Sequence, residues 1–266
     1  VCGEASQIEA GSPVVVDALA RTSAAQPRPG ELARGRAGRG AEPTPPDDVA
    51  KASASARIGP NAILQTRRAL AERYGVAAVH ALDADAALPE VLPPGMIPEA
   101  WFVRAVAALR ARLPRAEAEA VLTTSGRYTA DYVRMHRIPR AFRALLALLP
   151  ARIAIPVLLA AIRRHAWTFA GAGTFRAVGG FPRTLILDAC PTCRALARAE
   201  PAAGASTKPT AGRGGAYYEA AFERLLSLAS PRVRVRETRC VADGARHCRF
   251  ELTLAPRRRD VRGDAP

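Results

Sequence analysis

From residue 60 to about residue 166 the apolar side chains return at helical spacing, and beyond residue 168 glycines, β-formers and strand-like apolar runs take over, with one helical run between them. A helix brings every third or fourth side chain onto one face and a strand every second, so this switch divides the chain into a helical part and a sheet part. After Gly59-Pro60, the residues Ile63, Leu70 and Tyr74 fall near the helical period until Gly75 supplies a stop. A second helix begins at Pro98, with Phe102, Val106, Leu109 and Leu113 spaced by four, three and four residues before Pro114 halts it. Residues 115–135 and 139–149 read as further helices. The run Ala151 to Trp167 carries Ile155, Leu158, Leu159 and Ile162 densely enough for a buried helix.

The character then changes. Thr168 to Gly180 holds four glycines with β-formers between them, and Thr184-Leu185-Ile186-Leu187 is an apolar run suited to a buried strand. Tyr217 to Leu228 returns to helix with Tyr218, Phe222, Leu225 and Leu226 inward. After Pro231, Val233, Val235 and Glu237 alternate with Arg232, Arg234 and Arg236; beyond Asp243-Gly244, Cys248, Phe250, Leu252 and Leu254 alternate again, the pattern of a β-hairpin. The expected class is α+β: N-terminal helices followed by a mainly antiparallel sheet with an inserted helix.

A chain of 266 residues with 49% hydrophobic residues can bury one substantial core. Residues 1–56 run through Ala, Pro, Gly, Ser and Arg without a sustained apolar period and are expected to be a disordered tail. The domain is expected over 57–255, with a mobile loop at 200–215 and a basic tail at 256–266. The net charge of +15 would ordinarily suggest a polyanionic partner. Lys51 and Lys208 are the only lysines, however, so arginine supplies nearly all of the 39 basic residues, the mark of a GC-rich coding bias. The arginines are scattered and aromatics make up 5%, so nucleic acid is not the expected partner. No stretch approaches a membrane span and no signal peptide is readable, so a cytoplasmic protein is expected, peripheral at most to a membrane.

Five cysteines are too few and too odd in number for a disulfide framework. Cys190-Pro191-Thr192-Cys193 can grip one metal ion, and the hairpin can bring Cys240 and Cys248 to complete a four-thiolate zinc site, with His247 as a substitute ligand. The side-chain parity of Cys240 conflicts with Val233 and Val235 unless a bulge intervenes. Reduced structural or substrate-lining thiols and redox chemistry are the other readings of these residues.

The segment from His165 to Phe175 joins an apolar helix to the glycine-rich stretch. Its candidate substrate-binding residues are His165, Trp167, Phe169, Gly171, Gly173 and Phe175, which offer an imidazole, flat aromatic faces and glycines for close approach. A metal-centred macrocycle wants an axial ligand and apolar walls of this kind. A histidine capping a helix C-terminus is the plainer reading of His165. Gly171-Ala172-Gly173 is not a dinucleotide fingerprint, because Arg176 stands where the third glycine would and the flanks are reversed. Tyr128 and Tyr132, four apart and followed by His136, either face a ligand or pack on a neighbouring helix.

Arg57-Ile58-Gly59-Pro60-Asn61-Ala62-Ile63-Leu64-Gln65, the His165–Phe169 segment, Cys190-Pro191-Thr192-Cys193, Tyr218 through Leu226, Glu237-Thr238-Arg239-Cys240, Gly244 and Cys248-Arg249-Phe250 together resemble the bacteriochlorophyll 4-vinyl reductase family. The resemblance covers roughly residues 57–255. It implies a small-molecule-binding domain similar to haem-nitric-oxide-binding folds. It further implies action on the ring B (C8) vinyl group of a divinyl protochlorophyllide, a divinyl chlorophyllide or a related Mg-tetrapyrrole, alongside other bacteriochlorophyll biosynthesis enzymes. Reduction needs a hydride donor such as NADPH, for which no binding motif is readable, and no catalytic residue can be named. A non-catalytic tetrapyrrole carrier and a ligand-sensing domain are the alternative expectations.

Overall fold

The computed structural model describes residues 56–197 and 214–256. Residues 1–55, most of the 200–215 loop and everything past Pro256 lie outside the described residues, and the expectations for them with it.

Strands β1 (Arg57–Ile58) and β2 (Ile97–Pro98) pair antiparallel, Arg57 opposite Pro98 and Ile58 opposite Ile97. Helices α1 (Asn61–Tyr74), α2 (Val76–Asp85), α3 (Glu99–Arg112), α4 (Arg115–His136), α5 (Arg140–Leu148) and α6 (Ala151–Arg164) follow. Five of these begin directly after a proline, at Pro60, Pro98, Pro114, Pro139 and Pro150. Proline fixes φ near the helical value and lacks the N–H that a helix start would leave unpaired. The sequence expectation stopped at Gly75 and left out α2. There Gly75 turns the chain at φ 82°, and α2 buries only Leu82 among its own residues, so no apolar stripe marks it.

The first turn of the glycine-rich stretch is helical, contrary to its reading as strand. In α7 (Trp167–Ala170) the amide of Ala170 donates to the carbonyl of Ala166 at 2.7 Å, and extended structure starts only at β3 (Phe175–Val178). β4 (Arg183–Leu187) leads into α8 (Pro191–Ala197), α9 (Ala216–Leu226) is the inserted helix, and β5 (Val233–Arg239) and β6 (Cys248–Leu254) close the domain. The sheet order is β3-β4-β6-β5, antiparallel throughout. The α+β class, with helices first and a mainly antiparallel sheet interrupted by one helix, is therefore the observed one.

Helix α9 does two jobs. It packs on α4 so closely that a Cβ on Gly126 would stand 2.2 Å from the carbonyl oxygen of Tyr217, and the Tyr217 hydroxyl bonds Thr129 Oγ1 at 3.0 Å. It also closes the free edge of β5: Glu223 accepts the Val235 amide at 2.9 Å and Glu219 accepts the Glu237 amide at 2.7 Å. An edge strand otherwise offers unpaired N–H groups to another chain. Between helix and sheet lies an aromatic cluster, with Phe222 5.6 Å from Phe250, 5.2 Å from Phe175 and 5.9 Å from Phe169, centroid to centroid. On the other side of α4, Thr66 and Ser125 share a buried hydrogen bond of 2.8 Å that fixes α1.

Candidate functional site

β5 buries Val233, Val235 and Glu237 and exposes the arginines between them, so a carboxylate occupies a core position of the strand. Past Glu237 the pairing slips: Glu237 faces Phe250, whereas Arg239 faces Arg249. This bulge is the one that the parity of the cysteines demanded. It returns Cys240 to the buried side, beside Cys248 at the head of β6. Cys248 in turn pairs with Leu187 at the end of β4, and the chain after β4 turns into α8, which carries Cys193.

Three elements thus converge on one point. The sulfur of Cys193 lies 3.3 Å from that of Cys240 and 3.2 Å from that of Cys248, and all four thiols of Cys190, Cys193, Cys240 and Cys248 are free and buried. Cys193, Cys240, Cys248 and a Glu237 carboxylate oxygen lie within 4.8 Å of one another. Cys190 adjoins this group, its sulfur 3.2 Å from Thr192 Oγ1. Sequence reasoning had the four cysteines and missed Glu237, although an acid in the apolar phase of β5 was the signal. His247 is turned elsewhere: it lies 3.7 Å from Asp188 and accepts from Arg249 Nε at 3.0 Å.

Burial pushes the Glu237 carboxyl up to about 8, with the Cys240 sulfur adding to the effect. The Gly215 amide donates to its Oε2 at 3.1 Å, while Oε1 is buried without a hydrogen-bond partner. A Cβ on Gly215 would stand 2.5 Å from that Oε1 and 2.8 Å from the Phe250 ring, so glycine is required for this approach. The sulfurs divide into two kinds. Hydrogen bonding to Cys190 above all holds the Cys193 and Cys248 thiols up. Hydrogen bonding with Cys193 and Cys248 holds the Cys240 thiol well below its usual range. Burial opposes ionisation of Cys190, yet its bonds to Cys193, Cys248 and Thr192 hold it low.

A buried group of thiols and one carboxylate, with an orphaned oxygen, has the donor chemistry of a zinc site. Zn–S bonds of about 2.3 Å place the sulfurs of a tetrahedron roughly 3.8 Å apart, so the thiols need move outward by only about half an ångström. These residues fit a zinc ion.

The second candidate region surrounds α7. His165 ends α6 and is exposed, its carbonyl accepting from Thr168 Oγ1 at 2.8 Å. Phe169 is half-buried and Phe175 buried, both in the aromatic cluster, and the Phe169 carbonyl accepts from the Tyr218 hydroxyl at 2.8 Å. Trp167 opens α7, and its side chain lies outside what the structure describes. Gly171, at φ 58°, leaves room for Glu99, whose Oε2 accepts the Ala172 amide at 2.9 Å. A Cβ on Gly173 would stand 1.9 Å from the Asp188 carbonyl oxygen. Both glycines lie between a helical turn and a strand, the reverse of the strand–turn–helix that cradles a pyrophosphate. Buried Glu99 also ion-pairs with Arg194, next to Cys193, and so ties this segment to the thiol cluster.

Tyr128 and Tyr132 pack on neighbours. Arg68 sits 4.1 Å over the Tyr128 ring, whose hydroxyl donates to Glu72, and Tyr132 stacks on His136 at 4.7 Å.

No family model matches the chain. Among solved structures it is similar to an H-NOX protein from S. oneidensis. The Fe(II) form has TM-score 0.41 and 13% identity over 75% of this chain and 97% of that one; the Fe(II)NO form has TM-score 0.40 and 12% identity. Among curated proteins it is 40% identical over 198 residues to the bacteriochlorophyll synthase 23 kDa chain of Cereibacter sphaeroides, covering 74% of this chain and 90% of that protein. It is 37% identical over 216 residues to the protein of the same name in Rhodobacter capsulatus, covering 80% and 92%. Identity at this level across nearly the whole length of both relatives places the chain: it belongs to the family of the bacteriochlorophyll synthase 23 kDa chain.

Proposed function

We propose that this chain serves bacteriochlorophyll biosynthesis by binding a Mg-tetrapyrrole precursor such as divinyl protochlorophyllide or chlorophyllide, at the surface of the photosynthetic membrane, next to other enzymes of the pathway. The observation that carries the reading is the identity with two proteins named as chains of bacteriochlorophyll synthase. The exposed imidazole of His165, beside half-buried Phe169, supports the α7 segment as the pigment contact, with His165 as axial ligand to the central metal.

Cys193, Cys240 and Cys248 with Glu237 would hold a structural zinc ion, with Cys190 bonding the ligand sulfurs from outside. A closed, buried ligand set clamps α8 to the β5–β6 hairpin; a catalytic ion keeps an open position. Zinc there supports the shape of the domain and takes no part in a reaction.

Reduction of the C8 vinyl group follows from the resemblance to the 4-vinyl reductase family, and pigment carriage without chemistry is the second reading. The second is favoured by Gly171 and Gly173, whose setting does not suit NADPH, so a reductase would draw its hydride from another site or protein. Anaerobic incubation with divinyl protochlorophyllide, with and without NADPH and followed by mass, separates them. NADPH-dependent conversion of more than one equivalent establishes a reductase. Stoichiometric binding without conversion, with candidate protein reductants also tried, establishes a carrier.

A further inference from the structure

The arginines are spread along the whole chain, but the carboxylates are not. From Tyr132 to Leu187 there is no Asp or Glu, while nine arginines fall in the same span. Its centre is the pair of consecutive helices α5 and α6. Helix α5 buries only Leu146 and leaves Ala141, Ala144, Leu145 and Leu148 exposed, at positions three and four apart on one face. Leu148 is 84% exposed. Helix α6 turns Ala154, Ile155, Leu158, Leu159 and Ile162 inward, yet leaves Ile153, Val157 and Ala160 outside at the same kind of spacing. Both helices are therefore apolar toward the protein and apolar again toward solvent.

Charge complementarity indicates what covers this face. Among the described residues no carboxylate pairs with Arg137, Arg140, Arg143, Arg152, Arg163 or Arg164. Arg163 and Arg164 border a shallow depression of about 500 Å3 with Ala160 and Ala161, a setting in which guanidinium groups meet a phosphate beside apolar surface. No described helix is long and apolar enough to cross a bilayer, so contact with lipid here means contact with its surface. A nucleic acid would satisfy the arginines and leave Leu145, Leu148, Ile153 and Val157 in water.

We propose that α5 and α6 form a docking surface for an anionic lipid bilayer, their exposed apolar stripes entering the headgroup–acyl boundary while the flanking arginines meet lipid phosphates. The inference rests on the peripheral location proposed above and not on the pigment chemistry, so vesicle binding and pigment binding fail separately.

The test is flotation of the full chain with phosphatidylcholine vesicles, with and without phosphatidylglycerol. Binding is expected only with the anionic lipid. Because a chain of charge +15 adsorbs to anionic surfaces by charge alone, the deciding variant is Leu145→Glu/Leu148→Glu, whose exposed positions should leave folding intact, as circular dichroism checks. Its affinity is expected to fall at least about tenfold, since two leucines would lose contact with the acyl region. In the Leu148→Trp variant, lipids brominated on the acyl chain should quench the added fluorescence, whereas Val91→Trp, at a site 81% exposed outside the two helices, should be unaffected. Undiminished binding of the double glutamate variant, equal quenching in both tryptophan variants, or no binding to either vesicle would overturn the proposal. So would self-association or capture of an acidic protein that the glutamates abolish while vesicles fail to bind.

Discussion

The sulfurs of Cys193 and Cys248 lie 3.2 Å apart although 55 residues separate them in the chain. The contact joins the first turn of α8 to the first residue of β6, and so fixes the two stretches of chain that flank α9. Loops that bring such distant groups together cost entropy, which a bound ion can offset.

Zinc is therefore expected to co-purify at one equivalent. Removing it with a chelator, or substituting Cys240→Ser, should lower the melting temperature. Free zinc at about a thousandfold its dissociation constant stabilises by ~4 kcal/mol, and at ~2–4 °C per kcal/mol in a domain of this size the shift is roughly 8–16 °C. Metal analysis with a thermal melt checks both; a metal-free protein with the same melting temperature contradicts the clamp.

Glu237 gives the metal-free protein a distinctive pH dependence. Burial raises its folded-state value to about 8, above the ordinary carboxylate value of 4.5 that the unfolded chain retains. Between those values the folded state holds a proton that the unfolded state has released, so stability is fully present below pH 4.5 and falls as pH rises through about 8. Glu237→Gln should flatten this decline in urea titrations of the metal-free protein, and should weaken zinc binding in the loaded one.

The α4–α9 contact depends on a glycine. Gly126→Ala would press a methyl group onto the Tyr217 carbonyl, a backbone atom that cannot swing aside, and should cost about 1–3 kcal/mol in chemical denaturation. A change of a few tenths would mean that the helices separate freely.

The Glu99–Arg194 pair should behave as a buried ion pair. Arg194→Met leaves the Glu99 carboxylate buried with only the Ala172 amide, and a loss of ~3–5 kcal/mol is expected. Glu99→Gln combined with Arg194→Met should recover part of it, because the uncompensated charge is then gone.

The legible parts of the sequence were those written in apolar spacing. Phe102, Val106 and Leu109 announced α3, and Val233 and Val235 announced β5, because each repeats the geometry of its element. Helix α2 was hidden because only Leu82 of its residues is fully buried, with Ala78 and Val79 half-buried against the core, too few to mark a stripe. The one turn of α7 was hidden because glycines nearby suggested strand, whereas local hydrogen bonds to the carbonyls of His165 and Ala166 decided its shape. The thiol cluster was half legible. Cysteine spacing and the need for a bulge could be counted along the chain. That Glu237, already in the apolar phase of β5, would join the thiols depended on two things the spacing does not record: the convergence of α8 on the hairpin, and the approach of Gly215.

The most direct measurement is a titration of the pure protein with divinyl protochlorophyllide in the absence of any reductant, followed by absorbance. Binding of one equivalent with a shifted spectrum is expected, and His165→Ala should weaken it at least about tenfold, the loss of ~1.4 kcal/mol or more from an axial bond. A pigment spectrum that stays the same as in buffer at every protein concentration would contradict a tetrapyrrole-binding role.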